Sequence, residues 1–192
     1  MIKERMIRVI KTLVSDKRIT YDGTQMQSHW IHNQFGLVGD AVVAFMGEVK
    51  VDLDKMIDLI DVRRKESIYS PLMLNFLIEH FNPNLELAIY RQWLFMTLIK
   101  EELSQFEVNV YRLGDDLYFN KAKLSVSVAT VSNVSSLIHI GLNIETEGTP
   151  IKTVGLSELG ISDINSFADT IMLKYRRELE HIHEARCKVR GV

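Results

Sequence analysis

The sequence predicts an α+β fold, a mostly antiparallel mixed sheet with helices packed on it. Three observations point there. Residues 123–131 and 137–145 alternate with period two, separated by Ser132-Asn133, as two paired strands would. Residues 84–103 and 163–189 carry apolar side chains at helical spacing over long stretches. Strand-like and helical segments come in blocks rather than in strict alternation, which is the order of α+β chains.

The elements follow in order. Residues 6–14 are rich in β-branched side chains (Ile7, Val9, Ile10, Thr12, Val14) and read as an early strand. Asp22-Gly23 marks a turn. Thr24 is placed to cap a helix running to about Phe35, with Gly36 as its stop. Residues 40–46 form an apolar β run closed by Gly47, and residues 53–60 place Leu53, Met56, Ile57 and Ile60 on one helical face. Residues 72–81, between Pro71 and Asn82-Pro83, have strand length but fit helix as well. Residues 84–103 are the clearest helix, apolar enough to be covered by a sheet. A meander follows: residues 108–112, a turn at Gly114-Asp115-Asp116, residues 117–119, a turn at Asn120-Lys121-Ala122, then the two alternating runs. Gly148-Thr149-Pro150 closes it, and residues 163–189 form a terminal amphipathic helix.

Composition bounds the function without naming it. At 192 residues the length fits one domain over 1–192 with a real core. The net charge is −2, so a nucleic-acid partner is not expected. A single cysteine, Cys187, excludes an intrachain disulfide and any site needing two thiolates. The charged N-terminal stretch is no signal peptide, and residues 85–99 are too short and polar to span a bilayer. A cytoplasmic protein with no membrane attachment is the expectation. His29 and His32 imply no third ligand, so no metal site is expected; His181 and His183, two apart, point in different directions on a helix.

The alternating runs carry the chemistry. Lys123, Ser125, Ser127 and Ala129 share one face of their strand, and Leu137, His139, Gly141, Asn143 and Glu145 share one face of the next. Paired in register, these faces would form a floor of lysine, serines, histidine and asparagine able to hold a ligand. The same alternation also describes any antiparallel sheet with one wet face.

At these residues the chain resembles a family. Gly114-Asp115-Asp116-Leu117-Tyr118, followed by Lys123-Leu124-Ser125, is similar to the Asn-Asp-Leu-Tyr and Lys-Leu/Ile-(Ala/Ser)-Gly signature of biotin and lipoate protein ligases. His139-Ile140-Gly141-Leu142-Asn143-Ile144 resembles the strand that follows it. With Tyr21-Asp22-Gly23 and Ser28-His29-Trp30, the whole chain looks like an uncharacterised family grouped with those ligases and the class II synthetase fold.

The resemblance implies that Lys123 and Asp116 are catalytic, that Ser125, Ser127, His139, Asn143 and Asp115 line the acid's site, and that ATP with Mg is used on a small carboxylic acid or nucleotide. It also implies a homodimer. The alternative is a non-catalytic nucleotide or small-acid binding module on the same fold. Two residues depart from the pattern: Val126 stands where the ligases carry glycine, and Asp115 where they carry asparagine. Arg63-Arg64-Lys65, expected on a loop, occupy the order of the ligases' glycine-rich loop, and with Arg91 they are the candidate phosphate contacts. Cys187 lies far from the position of an acyl-transferring cysteine. The role of the Asp22, Ser28 and His29 region is open at this point.

Overall fold

The computed structural model describes residues 9–65 and 67–191. A five-stranded sheet has the order β1-β2-β3-β8-β7, made of β1 (Lys11–Val14), β2 (Ala41–Val51), β3 (Ile68–His80), β7 (Ser125–Val131) and β8 (Ser136–Glu145). Among the described residues its β1–β2 pairing is parallel and its other strand pairings are antiparallel. A second, three-stranded sheet is a hairpin ladder of β4 (Tyr111–Leu113), β5 (Asp116–Phe119) and β6 (Ala122–Lys123). The expected meander is therefore split between two sheets. The strand breaks at Leu124, whose side chain turns into the core. Asn120 and Lys121 both take positive φ in the β5–β6 turn, the conformation that a two-residue hairpin with matching twist requires.

Helices α3 (Leu85–Gln105) and α4 (Ile164–Cys187) pack on one face of the large sheet. Asn84 caps α3 by accepting from the Leu87 amide, and Asp163 caps α4 through the Ser166 amide. Their core is dry: Phe76, Ile78, Phe95, Ile138, Ile140, Ile171 and Tyr175 are fully buried. The opposite face carries a smaller cluster of Tyr21, Ile31, Val43, Phe45, Val49, Met73 and Leu77. It is covered at one end by the short α1 (Trp30–Phe35).

Several sequence expectations are corrected. The helix expected from Thr24 shrinks to α1, because Asp22 Oδ1 accepts from both the Thr24 amide and its hydroxyl and holds a turn there. Gly36 ends α1 as expected, with φ 69°. Gly47 does not close β2. It lies inside the strand, where a side chain would overlap the carbonyl of Ile19. Residues 53–60 are a 3-10 turn (Leu53–Lys55) and the start of α2 (Leu59–Arg64), separated because Asp58 caps α2 by accepting from the Ile60 and Asp61 amides. Residues 72–80 are strand, within β3, and Phe81 lies just past its end. Of the early strand, residues 6–8 lie outside the described residues and the rest yields β1. No helix among the described residues is long and apolar enough to cross a membrane.

Candidate active site

A cavity of about 430 Å³ opens on the face of the sheet away from α3 and α4. Its floor is the sheet itself. Met73 pairs with Asn143, Asn75 with Gly141 and Leu77 with His139 between β3 and β8; Gly141 pairs with Val126 and His139 with Val128 between β8 and β7. Period two puts all of these on one face. Gly141 keeps the floor flat: a methyl there would meet Met73 Cε at 2.9 Å and Val126 Cγ2 at 3.2 Å.

The floor expected from the sequence does not form as drawn. Ser125 pairs with Leu142 and Ser127 with Ile140, so both serines share a face with the helix-side core. A break at Leu124 changes the phase of the strand, leaving Lys123 on the cavity side. Both serines border the cavity, but their hydroxyls are engaged. Ser125 Oγ accepts from the Leu117 amide at 2.8 Å. Ser127 Oγ accepts from Gln92 Nε2 at 2.6 Å and donates to the Asp115 carbonyl at 2.8 Å. They fasten the small sheet and α3 to the large sheet.

Lys123 and Asp116 do come together. Lys123 Nζ lies 2.8 Å from Asp116 Oδ2, with about a fifth of each side chain exposed. Burial works against the Lys123 ammonium, but the carboxylate beside it more than offsets this, so the lysine's pKa is raised. Burial also lifts the pKa of Asp116, against the pull of Lys123. The lysine's backbone is fixed on both sides: its N–H donates to Lys152 and its carbonyl accepts from Val154 and from Asn143 Nδ2. Asp115 also lines the cavity and accepts from Gln92 Nε2 at 3.1 Å.

His139 and Tyr21 build the inner end. Tyr21 stacks on the imidazole with ring centroids 3.6 Å apart and planes within 8°. It is held there by backbone bonds to Glu48 and Lys50 on β2. His139 Nε2 donates to Asn75 Oδ1 at 2.9 Å. Burial pushes the imidazole down to about 3, so it is neutral. Sequence reasoning missed Asn75 as a site residue, although a lone amide within the apolar run Leu72–Ile78 was a signal for it.

The candidate phosphate contacts divide. Lys65, at the αL end of α2, lines the cavity, whereas Arg63 and Arg64 do not; all three belong to a helix end rather than a free loop. Arg91 lies elsewhere, beside the chain Asp40–His80–Tyr175, in which His80 bonds Asp40 at 2.8 Å and Tyr175 at 2.9 Å. The Asp22 region also divides. Tyr21 and Gly23 border the cavity, and Asp22 pairs with Lys55 at 2.8 Å. Ser28 and His29 instead reach a separate network: the His29 amide donates to buried Glu79, and Ser28 bonds Ser132 and Ser135. Trp93 is exposed on α3 beneath the Arg112 guanidinium, 4.8 Å from the ring centre. No group of three or more histidine, cysteine or carboxylate side chains among the described residues could hold a metal.

A mostly antiparallel sheet of this order, with two helices behind it and a cavity in front, defines the class: this is the fold of biotin and lipoate protein ligases. A biotin acetyl coenzyme A carboxylase synthetase from Helicobacter pylori, solved with biotinylated ATP, superimposes with a TM-score of 0.56 at 13% identity. The match covers 88% of this chain and 74% of that one, and lipoate protein ligases share the fold. The chain belongs to the family described as Domain of unknown function (DUF366), whose model matches residues 10–190. A protein of unknown function from Pyrococcus horikoshi has a TM-score of 0.90 at 37% identity, over 95% of this chain and 99% of that one. The uncharacterized protein MJ0805 of Methanocaldococcus jannaschii is 34% identical over 171 residues, 86% of this chain and 77% of its own.

Proposed function

We propose that the cavity binds ATP and a small carboxylic acid and joins them as an acyl-adenylate. The observation that carries this reading is the half-buried Lys123–Asp116 pair on the cavity wall, above a largely apolar sheet floor. Joining a carboxylate to ATP brings two anions together. A lysine fixed through its own backbone lowers that repulsion and stabilises charge on the α-phosphate in the transition state. The carboxylate oxygen attacks the α-phosphorus, the bond to the β-phosphate breaks, and pyrophosphate leaves. Asp116 orients the ammonium and bonds a sugar hydroxyl of the nucleotide.

Mg would arrive with the nucleotide. Asp115 and Asp116 suit an ion held by one or two carboxylates plus phosphates, not an all-protein cage.

The test is pyrophosphate release with ATP, Mg and a panel of carboxylic acids. Wild type should turn over at least one acid, and Lys123→Ala should lower kcat/KM by about a hundredfold or more. Equal rates for the two proteins would count against the reading.

One observation favours the second reading, a binding module without turnover: among the described residues, none that lines the cavity is an arginine. That reading expects ATP to raise the melting temperature with no pyrophosphate formed from any acid.

A further inference from the structure

Anions crowd the wall that must receive a triphosphate. Among the described residues the cavity is lined by four carboxylates, Asp58, Asp61, Asp115 and Asp116, against three lysines. Asp58 is engaged as the cap of α2, and Asp116 holds Lys123. Asp115, one residue before Asp116, is the charge best placed to disturb that pair. Burial is the main cause that lifts the Asp116 pKa, and the charge of Asp115 adds to it, so the neighbour is felt.

The Asp115 carboxylate is held elsewhere. Neighbouring residues of an extended chain point to opposite faces, and Asp115 turns toward α3. There it meets Gln92, which stands between the buried Ala88 and Phe95 and is only 3% exposed. Gln92 Nε2 donates one proton to Asp115 Oδ2 at 3.1 Å and the other to Ser127 Oγ at 2.6 Å. Ser127 Oγ closes the ring by donating to the Asp115 carbonyl at 2.8 Å. The reverse orientation of the amide would set its oxygen against a carboxylate, so the donor end faces Asp115.

We propose that Gln92 is a positioning residue: it keeps the Asp115 charge against α3, so that Lys123 answers to Asp116 alone and retains attraction for an anionic nucleotide. This rests on the reading of the site above and adds the residue that sets the effective charge of its lysine. Without the amide, a half-buried carboxylate would face the apolar side chains of α3 and turn out to the cavity. A second negative charge within reach of Lys123 would then repel the phosphates.

The experiment is a double-mutant cycle, read by calorimetric titration of ATP with Mg into the full chain. Gln92→Met keeps the length and helix propensity of the side chain but has no donor. It should weaken ATP about tenfold when Asp115 is present. In the Asp115→Asn background, where no charge is left to misplace, the same substitution should change ATP binding by less than about twofold. A merely structural glutamine would cost the same in both backgrounds. An equal loss in both, or no loss in either, overturns the proposal.

If Gln92→Met does not fold, the side-chain amide of wild type decides. Both Gln92 Nε2 protons should exchange slowly with solvent and stay protected when ATP and Mg are added; rapid exchange in either state overturns the proposal. ATP that fails to bind wild type removes the reading of the site and this inference with it. ATP that binds wild type while the cycle shows no coupling removes the role of Gln92 alone.

Discussion

The two faces of the large sheet are built from one alternation and put to opposite uses. On the helix side, Phe76, Ile138 and Ile140 meet Phe95 and Tyr175 in a filled, largely apolar core, and Ser125 and Ser127 are tied to the small sheet and to α3. On the open side, neighbouring residues of the same strands leave room, and the polar side chains of His139 and Asn143 border the cavity. The difference teaches where free energy is held. Apolar contacts that fill the helix side stabilise the fold, whereas the open side keeps unmet hydrogen-bonding capacity that a ligand can satisfy.

Breaking the helix side should have the largest effect. Phe76 is fully buried with its ring 5.0 Å from that of Phe95. Phe76→Ala removes a large ring and leaves a cavity, so chemical unfolding should show a loss of about 3–5 kcal/mol. A loss under about 1 kcal/mol would mean that the helix side repacks freely, and the contrast between the faces would collapse.

The next effect reads the open side through pH. His139 is held neutral by burial, with a folded pKa of about 3 against an ordinary 6.5. Between those values the unfolded chain binds a proton that the folded chain refuses, so stability falls as pH drops below about 6.5. The contribution lost by pH 5 is about 2 kcal/mol. His80, also lowered chiefly by burial, acts in the same direction. Asp116, raised by burial, acts in the opposite direction, so the comparison with His139→Phe isolates the histidine's share of the change. Guanidinium unfolding at pH 7 and pH 5 should therefore show a smaller drop for His139→Phe than for wild type. Equal drops would place the acid sensitivity elsewhere.

Much of this division was legible in the sequence. The two long helices carry apolar side chains at helical spacing, and both form. The motif named both Lys123 and Asp116 as candidate site residues, and the structure brings the two side chains together. What could not be read was phase. Period-two alternation states which residues of one strand share a face, but not which face of the neighbour they join. Leu124 takes the strand out of register there, so the serines and His139 part company. The short helices were misjudged for a related reason. Asp22 and Asp58 compete locally for backbone amides: Asp22 holds a turn at Thr24, where a helix was expected to start, and Asp58 sets where α2 begins. Asn75 was passed over because an amide inside an apolar run gains meaning only when its partner, 64 residues away, is known.

The serines test the corrected register. Ser127→Ala removes hydrogen bonds to Gln92 and Asp115 on the helix side, and thermal unfolding should register a loss of about 1 kcal/mol. Acid binding should stay within about twofold of wild type. A selective loss of binding with unchanged stability would return Ser127 to the ligand's floor and undo the assignment of faces.

The smallest effect on stability is expected at Val128, which pairs with His139 on the open side and is only partly buried. Val128→Ala removes two methyl groups that already border empty space, so unfolding should change by less than about 1 kcal/mol. The same truncation widens the cavity beside the His139 ring, and there it should be felt. Discrimination between acids of different tail volume should relax by a fewfold, because a missing methyl contact in a pocket changes relative more than absolute binding. A truncation on the helix side is read in the unfolding curve; one on the open side is read in the choice of ligand. If Val128→Ala costs as much stability as a core substitution and leaves selectivity untouched, the open side is simply a second core.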